Sequence, residues 1–175
     1  MLISTQMNAA LSQQVGYEFA ASLQYVAIAA YFDSESLPEL ARYYYHQAEE
    51  ERRHALRIVK YVVDAGGRVE IPAIAQPQNQ FATTEEAVQK SLDGEMAVTK
   101  EINALADLAH RQTDHLTHTF LQWFVTEQLE EVSSAETLLR IVQRAKDDLL
   151  HVEEYLGRRR HRPLAETVKA AEEAG

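Results

Sequence analysis

The chain has 175 residues, of which 46% are hydrophobic, a length and composition typical of one domain with a sizeable core. Its 27 Asp and Glu residues outnumber its 17 Lys and Arg residues, and the net charge of −10 disfavours broad nucleic-acid binding and favours cationic partners. It contains no cysteine, which excludes disulfides and thiolate metal sites, so any bound metal must be held by oxygen and imidazole ligands.

The first residues of the chain show neither the basic start nor the continuous apolar stretch of a secretory signal. The longest apolar run, from Tyr25 to Phe32, is too short to cross a bilayer. We therefore expect a cytoplasmic protein with no membrane partner.

Four long segments carry helical periodicity and helix-favouring residues, and no segment alternates like a strand. The segments cover approximately residues 5 to 34, 37 to 65, 84 to 111 and 115 to 144. Capping signals support these limits. The signals are capping boxes at Ser36 to Glu39 and Thr83 to Glu86, Asp114 before the fourth segment, and Gly66-Gly67 after the second. The predicted class is all-α.

The connections between the segments predict a four-helix bundle. Few residues join the first segment to the second and the third to the fourth, so each pair should be antiparallel. Residues 66 to 82 contain Pro72 and Pro77 and no helical pattern. When extended, this stretch reaches about 50 Å, enough to run back along a helix of about 45 Å. We predict that it crosses over along the outside of the bundle.

A short fifth helix is predicted at about residues 148 to 157, so that the folded domain covers residues 1 to 157. Residues 158 to 175 form a tail that begins with a basic run, Arg158 to Arg162, and continues as polar sequence. The basic run is either a solvated helix end that complements the helix dipole or a binding site for nucleic acid or anionic lipid. A run of charge is more often a solvated surface, which favours the first interpretation.

Each helix of the predicted bundle carries an apolar stripe that polar residues interrupt near its middle. The interrupting residues are Glu18 and Ser22 on the first helix, Gln47, Glu51 and His54 on the second, Glu95 and Thr99 on the third, and Gln128 and Glu131 on the fourth. Because the interruptions are central, they meet at a similar depth whichever way each helix runs. Four carboxylates, an imidazole and the amide of Gln128 are therefore expected to converge.

Burying four carboxylates together is costly, because each loses its hydration and repels the others. A bound pair of cations removes this cost. Carboxylate oxygens with one imidazole suit iron or manganese better than structural zinc, and bridging glutamates suit two ions that share a site. Two ferrous ions are the simplest occupants.

Each candidate residue also has a structural interpretation. A lone Glu-x-x-His is commonly a surface coincidence, and a polar residue in a seam can serve only to set helix register. The default interpretation of Tyr25 and Trp123 is that they are packing residues. The alternative is that they are hydrogen-bonding or redox partners of a metal. Three further glutamates beside the seam form either a solvated charged surface or a cation site adjoining the centre. They are Glu50, Glu127 and Glu130.

Three parts of the predicted helices are similar to those of one known family. They are Tyr25 to Ala29 with Tyr31 to Ser34, Glu49 to Ala55, and Gln122 to Glu131. With these segments the chain resembles the prokaryotic non-haem ferritins, especially those of actinobacteria, over roughly residues 7 to 157. The resemblance implies a ferritin-like four-helix bundle with a long crossover and a short fifth helix. It also implies a hollow shell of twenty-four subunits.

The activity implied by the resemblance is oxidation of ferrous iron by dioxygen or hydrogen peroxide, followed by storage as a ferric mineral. By motif, the family's paired-iron centre falls on Glu18, Glu51, His54, Glu95, Gln128 and Glu131. Glu51 is the implied bridging ligand and Tyr25 the implied partner of the centre. A third iron site, found in prokaryotic members, is implied at Glu50, Glu127, Glu130 and Glu131.

Some residues separate this chain from neighbouring families. Arg52 and Arg53 stand between Glu51 and His54, where haem-binding bacterioferritins carry a methionine, so no haem is expected. The fourth helix offers Gln128-x-x-Glu131 instead of the second Glu-x-x-His of bacterioferritins and rubrerythrins. The acidic three-fold channel of many ferritins is replaced by a less acidic set, which leaves the route of iron open. That set is His115, Thr117, His118 and Leu121.

The expected function is therefore iron storage with ferroxidase activity. We expect one iron at Glu18, Glu51 and His54, and a second, held more weakly, at Glu51, Glu95 and Glu131 near Gln128. Two alternatives stay open: a di-iron oxidase or peroxide-scavenging protein that does not store iron, and a metal-free helical interaction protein.

Overall fold

The computed structural model describes residues 1–146 and 148–160, which form five α-helices and no strand. The helices are α1 (Thr5–Ser34), α2 (Pro38–Asp64), α3 (Thr84–Arg111), α4 (His115–Ala145) and α5 (Leu149–Arg160). The all-α class is confirmed, and the limits predicted for the four long helices agree to within one residue. None of the described helices is long and apolar enough to cross a membrane.

The fifth helix extends further than predicted, through the start of the basic run to Arg160. Within that helix the exposed Arg158 donates to Glu154, one turn earlier, over 3.0 Å. The remainder of the predicted tail, from residue 161, lies outside the described residues.

The crossover follows the outer face of α1, as predicted, and it is held there by side chains of that helix. Asn8 exchanges two hydrogen bonds with the backbone of Arg68, and Gln24 does the same with the backbone of Gln78. Between these contacts, Pro72 packs so closely against Gly16 that a Cβ at Gly16 would overlap the proline ring. The crossover therefore runs in the same direction as α1 and delivers α3 to the far end of the bundle.

The beginning of α2 differs from the prediction. Its N-cap is Leu37, and no side chain of the Ser36 to Glu39 segment caps the helix, so the predicted capping box is wrong. Instead, the carboxylate of Glu153 on α5 accepts from the N–H groups of Glu39 and Leu40, at 2.8 and 2.9 Å. Because Glu153 lies 113 residues beyond Leu40 in the chain, no local pattern indicates this cap.

The remaining capping predictions are confirmed in their main contacts. Thr83 Oγ1 accepts from the N–H of Glu86, and Asp114 accepts from the N–H of Thr117. The Glu86 carboxylate reaches the N–H of Ala82 rather than that of Thr83, one residue earlier than a capping box requires. Gly66 ends α2 with a φ of 77°, a conformation that favours glycine.

The core consists of two apolar clusters at opposite ends of the bundle, with a polar layer between them. One cluster includes Leu11, Val62, Ile102 and Leu121. The other includes Phe32, Tyr44, Val88 and Leu138, and α5 extends it with Val152 and Leu156. The two apolar clusters bury enough hydrocarbon to hold the helices together, so the layer between them is free to be polar.

Candidate metal centre

The polar layer is built by side chains from all four long helices. Its members are Glu18 on α1, Glu51 and His54 on α2, Glu95 on α3, and Gln128 and Glu131 on α4, none more than 9% exposed. The structure therefore brings the six residues predicted for the centre into one buried layer. Helical spacing explains this locally, because the pairs Glu51/His54 and Gln128/Glu131 are three residues apart and share a helix face.

Three of these residues form a compact group. Glu18, Glu51 and His54 each offer one ligand atom, and these atoms lie within 4.8 Å of one another. His54 Nδ1 lies 3.2 Å from Glu51 Oε2. One cation placed between the three side chains would be within reach of two carboxylates and an imidazole, a donor set that suits iron or manganese.

Three carboxylate oxygens in the layer have no hydrogen-bond donor among the described residues. They are Glu18 Oε2, Glu51 Oε1 and Glu95 Oε2, each almost inaccessible to solvent. A buried, ionised oxygen without a donor costs free energy that the fold must recover elsewhere. Oxygens from three different helices that all lack a donor at one depth are what cation binding requires.

The second oxygen of each of these carboxylates does have a partner. Gln14 Nε2 donates to Glu18 Oε1 over 2.9 Å, and the Tyr25 hydroxyl donates to Glu95 Oε1 through a short hydrogen bond. In Glu51 the corresponding oxygen is the one beside His54. Each carboxylate is thus held by one oxygen and presents the other.

Burial raises the pKa of all three carboxyl groups, and it raises those of Glu18 and Glu51 well above the ordinary value. For Glu18 the neighbouring charge of Glu51 adds to the rise in pKa, and for Glu51 the charge of Glu95 does so. Burial also raises the pKa of Glu95, while the Tyr25 hydrogen bond acts in the opposite direction. Without a cation, burial and the neighbouring negative charges therefore disfavour the ionised form of these carboxyl groups.

Glu131 completes the layer from α4. Burial raises its pKa to about 8, and the negative charges of Glu95 and Glu50 contribute to the rise. Gln47 Nε2 on α2 donates to Glu131 Oε2 over 3.0 Å. Near neutral pH, Glu131 holds a proton that a divalent cation would displace.

Three supporting side chains have no role that the sequence alone assigns. Gln14 holds Glu18, Gln47 holds Glu131, and Thr99 on α3 lies 2.7 Å from the Gln128 side-chain oxygen. Gln47 and Thr99 stand out in the sequence only as interruptions of the apolar stripe. Gln14 precedes Glu18 by four residues on the same helix, and that spacing is a signal that could have found it.

The aromatic residues near the layer differ in burial. Tyr25 is buried and its hydroxyl is bonded to Glu95, and burial raises the pKa of this phenol well above its ordinary value. Trp123 is half-buried, with its ring centroid 5.3 Å from that of His54. The guanidinium carbon of Arg57 lies 3.9 Å from the centre of the Trp123 ring. Tyr25 therefore belongs to the polar layer, and Trp123 packs at its margin.

Three of the four residues predicted for a third iron site lie nearer the surface than the polar layer, and the fourth, Glu131, belongs to that layer. Glu130 is exposed and Glu127 is half-buried, while Glu50 contacts His46 at 3.2 Å and Arg53 at 3.4 Å. The compact group of ligand atoms found in the described part of the chain does not include these three glutamates. Glu50 and Glu127 are nevertheless close enough for their charges to raise the pKa of Glu131.

A family model described as a ferritin-like domain matches residues 8–145, which contain the whole polar layer. A protein of Mycolicibacterium smegmatis named ferritin BfrB is 44% identical over 156 residues, covering 89% of this chain and 86% of its own. A bacterial non-heme ferritin of Staphylococcus aureus is 36% identical over 147 residues, covering 84% and 89%.

Solved structures show the same fold. The open pore ferritin of the hyperthermophilic archaeon Archaeoglobus fulgidus superposes with a TM-score of 0.85 at 32% sequence identity. The superposition covers 89% of this chain and 96% of the archaeal chain. The predicted four-helix bundle with its long crossover is thereby confirmed.

Proposed function

Because the chain belongs to the ferritin family, we propose that it oxidises ferrous iron at the polar layer and stores the product as a ferric mineral inside an oligomeric shell. The shell is a homo-oligomer of twenty-four subunits, and the protein acts in the cytoplasm. Iron is here the substrate and the cargo, and the chain needs no haem.

The observation that supports this proposal is the set of three buried carboxylate oxygens without donors. They belong to Glu18, Glu51 and Glu95, on three different helices, and they lie in one layer with His54. In a metal-free interaction protein these buried groups would lower the stability of the fold, and no bound cation would offset that loss. Two divalent cations neutralise the layer and give each of the oxygens a partner.

Different sets of residues bind the two ferrous ions. Glu18, Glu51 and His54 bind the first ferrous ion, and Glu51, Glu95 and Glu131 bind the second, with Gln128 beside it. Binding displaces the proton held by Glu131, whose pKa is raised to about 8, and it favours the ionised form of the other carboxylates. In the chemical step two ferrous ions give two electrons to dioxygen, which takes up two protons and leaves as hydrogen peroxide.

The ligand set also suits departure of the product. The second side of the layer has one amide and no imidazole, and a neutral amide holds ferric iron more loosely than a carboxylate does. Oxidised ions can therefore leave for a storage cavity. A di-iron oxidase instead needs a centre that retains its metal through each turnover.

Aerobic addition of ferrous iron in large excess, followed by size-exclusion chromatography with iron detection, tests the proposal. We expect many irons per subunit to co-elute with a very large assembly. A matched sample of the Glu18→Ala, Glu51→Ala double variant should assemble normally and acquire iron much more slowly. Retention of only one iron pair per subunit after repeated additions would instead indicate a non-storing oxidase.

A further inference from the structure

Thr99 on α3 has two hydrogen-bond acceptors and one proton to offer them. Its Oγ1 lies 2.7 Å from the backbone oxygen of Glu95, one turn earlier, and 2.7 Å from the side-chain oxygen of Gln128 on α4. A hydroxyl group donates a single hydrogen bond but also accepts. Thr99 can therefore satisfy one of these oxygens as donor, and it keeps unused accepting capacity.

The other end of the Gln128 amide faces the polar layer. Its nitrogen lies close enough to the Glu95 carboxylate to lower the pKa of Glu95, against the larger rise caused by burial. In this arrangement Gln128 presents its N–H group to the layer, whereas a cation needs an oxygen ligand. Gln128 cannot serve as a ligand until its amide turns over.

A half-turn of the amide exchanges its oxygen and nitrogen with almost no change in shape. After the turn, the N–H group points at Thr99 Oγ1, and the oxygen faces the Glu95 carboxylate and the layer. Thr99 then accepts from Gln128 and gives its proton to the backbone oxygen of Glu95. Both orientations of the amide are satisfied at Thr99, but only the turned one suits a bound cation.

We propose that Thr99 is the positioning residue that lets the Gln128 amide turn when a cation binds in the part of the polar layer formed by α3 and α4. Thr99 does not touch the cation. Its hydroxyl donates to the amide oxygen in the empty layer, and it accepts from the amide nitrogen in the loaded one. The proposal rests on the proposed function, because it assigns Gln128 to the second ferrous ion.

Anaerobic calorimetric titration of the assembled protein with Fe²⁺ tests this role. The wild-type chain should show two binding events per subunit, a tight first event and a weaker second one. Thr99→Val keeps the side-chain shape but leaves the turned amide nitrogen buried without an acceptor. We expect the second event to weaken about 10- to 100-fold, the usual effect of removing such a supporting group, and the first event to stay unchanged. Thr99→Ser, which restores the hydroxyl, should recover the wild-type titration.

A second background separates positioning from general structural damage. In Gln128→Glu both ends of the side chain are oxygens, so no orientation needs to be selected. Thr99→Val in that background should change the second event by less than about twofold, so that the two substitutions are strongly coupled. Thr126→Val is the matched control, because Thr126 makes the same contact with the Gln122 backbone oxygen, at 3.1 Å on an exposed face. It should leave both events unchanged.

Two results would overturn the proposal. One is an unchanged second event in Thr99→Val. The other is a second event that Thr99→Val weakens equally whether or not the Gln128→Glu substitution is present. A wild-type chain that takes up no Fe²⁺ would overturn the proposed function as well. Since the wild-type titration is done first, failure of the function and failure of the Thr99 role are distinguishable.

Discussion

The polar layer has two sides that are built differently. On the side formed by α1 and α2, Glu18, Glu51 and His54 present ligand atoms within 4.8 Å of one another. On the side formed by α3 and α4, neutral side chains hold the candidate ligands in place. These contacts are Tyr25 with Glu95, Thr99 with Gln128, and Gln47 with Glu131.

The two sides of the layer therefore differ in how readily they bind a cation. The α1–α2 side concentrates acceptors in one place. Gln14 holds one oxygen of Glu18 there, and two other carboxylate oxygens have no donor, so a cation gains strong contacts without breaking many others. On the α3–α4 side, a cation has to compete with existing hydrogen bonds, and one amide must turn. We infer that the first side binds tightly, and that the second binds more weakly and releases its ion more readily.

The largest effect is expected from removing a ligand of the α1–α2 side. Glu51→Ala takes away the carboxylate that we propose both ions share, so initial ferrous oxidation should slow by at least about 100-fold while the proposed shell still assembles. Stopped-flow absorbance after mixing with Fe²⁺ in air measures the rate. Glu49→Ala, an exposed carboxylate on the same helix, is the control and should oxidise iron normally. Unchanged initial rates in Glu51→Ala would mean that the centre is misplaced.

A smaller effect is expected on the α3–α4 side. Glu131→Ala removes a proposed ligand of the weaker ion only, so we expect about a 10-fold slower oxidation and loss of the second anaerobic binding event, with the first retained. Glu136→Ala, on the exposed face of α4, is the matched control. Equal losses in Glu51→Ala and Glu131→Ala would show that the two sides are equivalent.

The pH dependence of stability sharpens the comparison without removing a ligand. The pKa of Glu131 is raised from its ordinary 4.5 to about 8, so its contribution to metal-free stability is full below about pH 4.5 and is lost as the pH rises through 8. We expect the Tm of the metal-free protein, measured by calorimetry, to fall as the pH rises across this window. The fall in Tm should be less steep in Glu131→Gln. An equally steep fall in that variant would show that other groups cause the pH dependence of Tm.

Divalent cation should reverse this trend, because bound metal replaces the displaced protons and its affinity increases with pH over the same window. Cation at about 100 times its Kd should add about 2.7 kcal/mol to the free energy of unfolding. A Tm that chelator and Fe²⁺ leave unchanged under anaerobic conditions would favour the metal-free interaction protein.

The smallest effect is expected outside the layer. Glu153→Ala removes the carboxylate that caps α2 from α5, which should cost about 1 kcal/mol and lower the Tm by about 2–4 °C. Both iron-binding events should persist, because the hydrogen bonds of Glu153 go to the backbone of Glu39 and Leu40 at the start of α2. Glu154→Ala, which removes only an exposed pair with Arg158, is the control. A changed second binding event in Glu153→Ala would show that the α2 cap also shapes the layer.

Most of the fold was predictable because its signals are local. The limits of α1 and α3 follow from periodicity and from caps such as Thr83, whose partner lies three residues away. The cap of α2 was not predictable, since its donor groups meet Glu153 only after α5 has packed. The same distinction applies to the centre: Gln14 lies one turn from Glu18, whereas Gln47 and Thr99 act on residues of another helix.

The amino-acid sequence by itself determined that four helices form, that a crossover returns along the bundle, and that ionisable residues interrupt every apolar stripe at mid-height. These properties depend on spacing within a helix, which the order of residues specifies. Only the tertiary structure decided which oxygen of each carboxylate is held and which is free, and that the two sides of the layer differ. Those outcomes depend on the rotation and height of one helix against another, and periodicity specifies neither.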